Sequence, residues 1–401
     1  MAVGFVELLR DDLHLPKSVS MRRLRGKEAI LASYPLLSSF AASCGQPDGA
    51  EDLTYFISKP GILRRTPVLL LITREDIPRN RPLQPADLLG TVLVYEYSIA
   101  GLHTGLFTSN DRSGHTSLIA PPELRFSIAF FASEWLIRHR AHLIMLTFAE
   151  GTSSIGTSNR LIDTGRSVRW AMRTRSVPDF LPLQETMDET LANIGQRTRS
   201  NMRYYRRRAE KELGCVFHPE LEITPKDLVA FNRECMYAVP DRVVAWRLRN
   251  LRELGQPLLM GLRDQNGRML SLIGGRRLGT STEILWQMNR NDLPQYSLSL
   301  VLRSYLLEHE IARGAKRFYV EGGSSHPINR SFRQCNLTDL VVLRDSITAS
   351  LACSLARHKV NRENDLGVML LDQSTQWTAT NEGSPALSRE LRDSHDLRES
   401  T

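Results

Sequence analysis

Apolar residues in the first 150 positions change their spacing several times, and each change marks a new secondary-structure element. Over 26–43 they recur every three or four residues, which predicts a helix. The segments 66–74 and 90–101 have the composition of strands, and the second alternates along its length. A wide apolar face predicts another helix at 121–142, and a strand follows at 143–148. This order predicts one α/β layer unit around a sheet.

The second half repeats the alternation of helical and extended segments. Helices are predicted at 185–213, from 225 onwards and at 297–313, and strands at 257–262, 268–278, 282–291, 316–320 and 338–345. Ser297 or Ser299 can cap the helix at 297–313, and Gly314 provides its left-handed end. The strand before it therefore runs directly into a helix N-terminus.

The composition of the chain is that of a folded protein. Its 401 residues are enough for two domains of ordinary size, and 41% hydrophobic with 24% charged residues can form a stable core. The predicted fold is mixed α/β, with a first domain at 1–180 and a second at 181–349. Residues 350–401 form an extension, and the polar sequence beyond about 372 is expected to be disordered.

The net charge and the lack of targeting signals restrict the partners and the location that are expected for the protein. A net charge of +8 favours anionic partners without choosing among them. Glu7, Asp11 and Asp12 interrupt the N-terminal apolar stretch, unlike a signal peptide, and no apolar run reaches the roughly 20 residues that a membrane span needs. A cytoplasmic protein without a membrane partner is expected. The five cysteines are odd in number and widely spaced, which predicts reduced thiols and no metal site.

Two segments of the second half resemble a known family. At 194–214 an arginine precedes a small polar residue, an asparagine and a run of arginines, and 269–323 has the order strand, strand, loop, helix, glycine, strand, glycine. Over about residues 195–345 the chain resembles the Fem-type and cellulose-biosynthesis-type acetyltransferase branch of the GNAT superfamily. The first segment is matched by Arg199, Asn201, Arg203, Arg206 and Leu213.

The resemblance implies a GNAT-like fold, with two GNAT-like lobes in tandem. In GNAT proteins the pyrophosphate of coenzyme A lies at the strand-to-helix junction, and the strand splays so that its amides bind the pantetheine arm. A helix N-terminus suits a pyrophosphate because its backbone N–H groups are free and it carries partial positive charge. These roles fall on 286–300. The candidate cofactor-binding residues are Gln287, Asn289, Gln295, Tyr296, Ser297 and Ser299.

Three residues after the strand at 316–320 are candidates for chemistry. Glu321 occupies a position where the family often has an acidic residue, and serves either as the base or as an anchor for the amine. His326 is a candidate for proton transfer, because its ordinary pKa is close to neutrality. Arg333 is a candidate for binding a substrate carboxylate or phosphate. The alternatives are a strand-end carboxylate paired with arginine, a solvent-facing histidine and a surface ion pair.

The arginine-rich helix has two interpretations. Arg199, Arg203 and Arg206 share one face at four- and three-residue spacing. Arg199 and Arg203 are candidate substrate-binding residues, because such a face binds anionic acceptors or RNA. A solvated charged face is the other interpretation.

The function that these features predict is an acyl-CoA-dependent N-acyltransferase without a metal. It transfers an acyl group directly to an amine or hydroxyl of a small metabolite, sugar or amino acid. One alternative is a Fem-like transferase that uses aminoacyl-tRNA. The other is a non-catalytic protein that binds nucleic acid through its arginine-rich helix, which the lack of glycine in the loop 295–299 favours.

Overall fold

The computed structural model is a mixed α/β protein with two sheets. The residues that it describes are 19–46, 49–50, 53, 57, 64–74, 77–78, 80–99, 102–109, 117–149, 168–252, 254, 256–321, 326–344, 353 and 378–379. The described helices are α1 (Lys27–Ala32), α2 (Tyr34–Ser43), α3 (Arg125–Arg138), α4 (Met187–Ala192), α5 (Gln196–Leu213), α6 (Pro225–Arg233), α7 (Asp241–Arg252) and α8 (Leu298–Ala312).

The described strands carry the two sheets. They are β1 (Val19–Arg25), β2 (Arg64–Arg74), β3 (Leu88–Ile99), β4 (Leu102–Thr108), β5 (Leu118–Ile119), β6 (Leu143–Ala149), β7 (Val168–Pro178), β8 (Phe180–Pro182), β9 (Val216–His218), β10 (Pro257–Arg263), β11 (Met269–Leu278), β12 (Ser281–Asn289), β13 (Arg317–Val320), β14 (Gln334–Arg344) and β15 (Thr378–Ala379).

The first sheet combines strands from both ends of the chain. Its order is β1-β2-β3-β4-β6-β14-β7-β15, and β5 pairs with β3. β4 and β6 are parallel, and the other neighbours are antiparallel. β14 follows the whole second sheet along the chain, yet it lies between β6 and β7 and pairs with both. The centre of this sheet therefore depends on the C-terminal part of the chain.

The second sheet has the order β8-β13-β12-β11-β10-β9. Its strands pair antiparallel except for β12 and β13, which run parallel. Helix α8 connects these two parallel strands and packs against the sheet through Val301, Leu302 and Leu306, which are fully buried. Complete burial of such a side chain stabilises a fold by roughly 1.5–3 kcal/mol. Gly314, at φ 84°, lies just beyond the end of α8, as the sequence predicts.

Helices cover both faces of the first sheet. α3 places Phe126 and Phe130 in a buried cluster with residues of β2, β6 and β14. α1 and α2 pack on another cluster with β2 and β3. The single helix predicted at 26–43 is wrong in one respect, because it divides at Ser33. Pro35 stands in the first turn of α2, where the missing N–H of proline is tolerated, and it cannot continue α1.

Several strands are absent from the sequence-based interpretation. β1 contains Arg22, Arg23 and Arg25, which read as a basic patch, but it is the edge strand of the first sheet, where charged side chains are usual. In β7, Arg173 and Arg175 conceal the alternation of apolar and polar residues, although this strand is not at an exposed edge like β1. Both pair with a carboxylate that is buried in the neighbouring strand.

The C-terminal extension contributes to the first sheet. Thr378 and Ala379 pair with Trp170 and Arg169 of β7, so at least these two residues are ordered by pairing. The rest of the extension beyond 372 lies outside the described residues, and its disorder stays a prediction. The division into domains near residue 180 also stays a prediction, and β14 belongs to the first sheet.

The mixed α/β class predicted from the sequence is confirmed by the two mixed sheets and the helices that cover them. Of the five cysteines, Cys44, Cys215 and Cys235 are buried and the other two are half-buried. Among the described helices, none is long and apolar enough to cross a membrane.

Candidate functional site

The parallel strands β12 and β13 separate part of the way along their length. Their paired register ends at Ile284 and Val320, and the last bond joins the Glu321 N–H to the Ile284 carbonyl at 2.7 Å. Beyond it, residues 285–288 of β12 have no neighbouring strand on the β13 side among the described residues. The opening ends at Asn289, whose carbonyl accepts the Met236 N–H at 3.0 Å. We call this separation of the two strands the cleft, and residues 285–288 its wall.

A β-bulge lies where the cleft begins. Gly274 faces Trp286 and Gly275 faces Ile284, so Leu285 is an extra residue on β12. On β11, the strand opposite the bulge, position 275 has no room for a side chain, because a Cβ on Gly275 would lie 2.1 Å from the Glu283 carbonyl oxygen. Leu285 packs against the buried cluster that α1 and α2 form with β2 and β3 of the first sheet. The bulge therefore redirects β12 at the mouth of the cleft, and bulges are frequent beside active sites.

Beyond the bulge, β12 presents polar side chains to α8 and apolar ones to the opposite face. Gln287 donates from Nε2 to the Ser299 carbonyl at 3.2 Å and to Asn289 Oδ1 at 3.2 Å. Ser271 Oγ donates to Asn289 Oδ1 at 2.7 Å. Trp286 and Met288 pack with helices α6 and α7 instead. The sequence favours Gln287 and Asn289 over this apolar pair as ligand-binding residues, and they do lie on the polar wall of the cleft.

Arg303 and His326 complete this polar cluster. Arg303 Nε donates to Gln287 Oε1 at 2.9 Å, and Ser299 Oγ lies 3.5 Å from His326 Nε2. Burial lowers the pKa of Arg303 to about 10, so its guanidinium is charged at neutral pH. Burial, together with the charge of Arg303, lowers the pKa of His326 to about 3. His326 is therefore neutral in the folded protein and half-buried, rather than facing solvent.

His326 is expected to make the fold less stable in acid. Its pKa is near 6.5 in an unfolded chain and about 3 in the folded protein. Between these values the unfolded state binds more protons, so the free energy of unfolding rises with pH. His326→Gln removes this term, and from pH 7.5 to 5.0 it is expected to lose less stability than the wild type, by up to about 1 kcal/mol per pH unit below 6.5. Urea denaturation at several pH values measures the difference. Equal slopes for the two proteins would contradict the buried, neutral histidine.

At the junction before α8, Ser297 does not cap the helix with its side chain, although the sequence suggests that it can. Ser297 is the N-cap residue in the left-handed region at φ 48°, and its side chain makes no cap hydrogen bond. Gln295 is exposed, and its carbonyl accepts from Arg208 at 3.4 Å. Tyr296 is buried and donates to Glu212 at 2.9 Å. Gln295 and Tyr296 therefore hold α5 against the start of α8, because both partners lie on α5.

The predicted cationic face of α5 is largely neutralised within the protein. Arg203 pairs with Asp188 at 2.8 Å, and Arg206 pairs with Glu210 at 3.1 Å and Glu308 at 2.7 Å. Arg199 donates to the Leu191 carbonyl at 3.4 Å. These three arginines are outside the polar cluster described above. Their side chains tie α5 to its neighbours.

The remaining candidates follow β13. Glu321 is half-buried at the point where the strands separate, and Gly322 and Gly323 after it lie outside the described residues. Arg333 is exposed and its guanidinium lies 5.7 Å from the Phe180 ring centroid. Its backbone N–H donates to the Phe180 carbonyl at 2.8 Å, so Arg333 joins β8 rather than the polar cluster. Among the described residues, no group of His, Cys, Asp or Glu is arranged to hold a metal ion.

Arg303 is the residue that the sequence-based interpretation misses. It is only 4% exposed, in a helix whose neighbours Leu302 and Leu306 are fully buried. The sequence does contain a signal, since an arginine interrupts the apolar stretch 300–307. Such residues are seldom fully buried unless they are paired.

No protein-family model and no curated protein sequence matches the chain. The chain is similar to the solved structure of a tandem GNAT protein from the clavulanic acid biosynthesis pathway, with a TM-score of 0.43 and 11% identity over 82% of this chain and 99% of that one. It is also similar to L-PGS from Bacillus licheniformis, with a TM-score of 0.44 and 11% identity over 81% and 96%. For FemX the TM-score is 0.41 and the identity 10%, over 69% and 88%. At these TM-scores the similarities carry no argument about donor or acceptor.

Proposed function

We propose that the protein is a direct acyltransferase that binds acyl-CoA in the cleft between β12 and β13. The acyl group passes to an amine or hydroxyl of a small metabolite, sugar or amino acid in the cytoplasm. The observation that carries the proposal is the separation of two parallel strands beyond Ile284, connected by a helix whose N-terminus follows the same strand. It is the arrangement that the resemblance to GNAT proteins implies.

The chemistry of this cleft suits an extended thioester donor. On the side away from β11, residues 285–288 have no neighbouring strand in the part of the chain that the structure describes. An extended arm bearing amides can pair with such an edge as an added strand does. The Leu300 N–H donates to the Ser297 carbonyl at 2.8 Å. The N–H groups of Leu298 and Ser299 before it receive no side-chain cap from Ser297, which leaves these two for the pyrophosphate. Donor and acceptor then meet near Glu321, and no covalent intermediate is required.

Binding of coenzyme A tests the proposal most directly. Calorimetry with acetyl-CoA, myristoyl-CoA and free coenzyme A is expected to give binding for at least one of them, and comparison of the chain lengths identifies the acyl group. Ser297→Glu places a negative charge at the proposed pyrophosphate position, so it is expected to weaken binding at least tenfold by like-charge repulsion. Ser176→Glu, on the remote strand β7, is the matched control. Absence of binding for all three ligands would rule out an acyl-CoA donor.

Glu321 is the proposed base or amine anchor. Once an acceptor is found, Glu321→Gln is expected to lower kcat by about 100-fold or more, because amide oxygens do not take up a proton at neutral pH. Glu220→Gln, an exposed carboxylate before α6, is the control. Release of free thiol from acyl-CoA measures the rate. A wild-type rate for Glu321→Gln would remove the catalytic role and leave the donor site intact.

A second candidate function is the transfer of an aminoacyl group from tRNA, or the binding of nucleic acid without catalysis. One face of α5 carries Arg197, Arg207 and Lys211, which pair with no described carboxylate, and Tyr204 beside them is 52% exposed. Exposed cations around an aromatic ring are typical of surfaces that bind single-stranded nucleic acid. Binding of RNA that falls steeply with salt, together with no binding of coenzyme A, would favour this function over acyl-CoA transfer.

A further inference from the structure

Arg303 carries a positive charge into the protein, and no described carboxylate pairs with it. Its side chain is 4% exposed, and its Nε donates to the neutral Gln287. Its Nη1 is buried and has no hydrogen-bond partner. Among the described residues, Arg303 forms no ion pair. An unpaired buried charge is costly unless a partner approaches it.

Two other arginines of the same sheet, one buried and one half-buried, have such partners. Arg276 pairs with Glu283 at 2.5 Å, and Arg277 pairs with Glu310 at 2.8 Å. These pairs are satisfied within the described protein, and they lie where β11, β12 and α8 are packed together. Arg303 is the exception, and it lies beside the strand that forms the wall of the cleft.

The surroundings of Arg303 are polar, uncharged and partly open. Gln287, Asn289, Ser299 and His326 are half-buried rather than buried, so they form the side of the cluster that solvent reaches. Ser299 contributes a hydroxyl donor, and Asn289 contributes the N–H groups of its amide. Both N–H groups of Gln287 already donate to the Ser299 carbonyl and to Asn289 Oδ1. His326 is neutral, because burial and Arg303 depress its pKa. The cluster therefore has a charge of +1 with several neutral donors.

We propose that Arg303 binds a carboxylate of the substrate, with the Ser299 hydroxyl and the Asn289 amide as additional donors. One negative charge on the ligand cancels the charge of Arg303. A phosphate, at about −1.5 to −2 near pH 7, would leave excess negative charge beside a buried, neutral cluster. The ligand is therefore either an acceptor with a free carboxylate, such as an amino acid, or a donor whose acyl group ends in one. The carboxylate site itself does not depend on the proposed acyl transfer, but calling its ligand a substrate does.

Replacement of Arg303 by methionine tests the site. Methionine keeps the length of the side chain and removes an unpaired buried charge, so without ligand Arg303→Met is expected to melt at least as high as the wild type. L-glutamate, L-alanine and succinyl-CoA are the carboxylate probes, and L-alanine amide, acetyl-CoA and inorganic phosphate are the references. At least one carboxylate probe is expected to raise the Tm of the wild type by about 2 °C or more beyond its reference, and none is expected to exceed its reference with Arg303→Met.

Gln287→Glu supplies an independent variant. It places a carboxylate where Gln287 Oε1 accepts from Arg303, at 2.9 Å in the wild type. Because this internal anion competes for the guanidinium, the affinity for the carboxylate probe is expected to fall at least tenfold. Arg313→Gln, an exposed arginine just beyond the end of α8, is the control and is expected to bind the probe as the wild type does.

The outcomes separate this inference from the proposed function. If binding of a carboxylate probe beyond that of its reference survives both Arg303→Met and Gln287→Glu, the inference is overturned, as it is if the wild type binds no carboxylate probe better than its reference. A fall in Tm of more than about 4 °C for Arg303→Met without ligand also overturns it, since the arginine is then structural. Arginine-dependent binding of inorganic phosphate alone overturns the choice of ligand. Binding of free coenzyme A by the wild type is a separate measurement, and it tests only the donor site.

Discussion

Replacing Asp339 with asparagine is expected to lower the free energy of unfolding by roughly 3 kcal/mol or more. Asp339 lies in the middle of β14 and is fully buried. It accepts from Thr147 of β6 at 2.8 Å, and from Arg173 and Arg175 of β7 at 3.0 and 2.7 Å. Asparagine keeps the shape but removes the charge, which leaves two arginines facing an amide. Urea denaturation followed by circular dichroism measures the change.

Asp188→Asn is the matched control for this experiment. Its pair with Arg203 has a similar separation, 2.8 Å, but the Asp188 side chain is 86% exposed. Exposed pairs contribute about 0–1 kcal/mol, so the control is expected to change the free energy of unfolding by less than about 1 kcal/mol. Equal effects for the two variants would mean that Asp339 does not join β14 to its neighbours in the way its contacts indicate.

Replacing Gly275 with alanine is expected to destabilise the second sheet and close the cleft. The added Cβ would lie 2.1 Å from the backbone oxygen of Glu283, so strands β11 and β12 must move apart at the bulge. The expected loss is about 3 kcal/mol, at the upper end of the usual cost of overpacking. Since the bulge also orients Gln287 on the cleft wall, binding of coenzyme A and of carboxylate probes is expected to be lost too.

Gly195→Ala provides the comparison for Gly275→Ala. Nothing lies within 4 Å of a Cβ on Gly195, and its φ of −50° suits any residue. Its stability and binding are expected to match those of the wild type. If Gly275→Ala also folds with unchanged stability and still binds ligand, the bulge has no part in shaping the cleft.

Local patterns were sufficient for most elements of the second half. The apolar face of α8, its terminal Gly314 and the strands before it all follow from spacing in the sequence, and their bounds differ by one or two residues. Strand β7 was missed because Arg173 and Arg175 break its alternation. Their partner Asp339 is more than 160 residues away along the chain, and no local pattern connects them.

The candidate site was predictable only in part, for a similar reason. Gln287 and Asn289 were identified from alternation along one strand, and Ser299 and His326 join them in the fold. Arg203 is a predicted substrate-binding residue, and its ion pair with an acidic residue of α4 was not evident from its own helix face. Among the described residues Arg303 Nη1 has no hydrogen-bond partner, and this follows from how distant segments pack around it rather than from the sequence beside it.

The position of β14 between β6 and β7 imposes an order on synthesis. β7 ends at Pro178, but the strand that joins it to β6 is complete only at Arg344. At the usual rate of about 5–20 residues per second, a ribosome needs on the order of 10–30 s to make the intervening chain. During this interval facing edges of β6 and β7 lack their partner, and open edges pair readily with other chains. Nascent chains of this protein are therefore expected to need a chaperone most after β7 emerges and before β14 does.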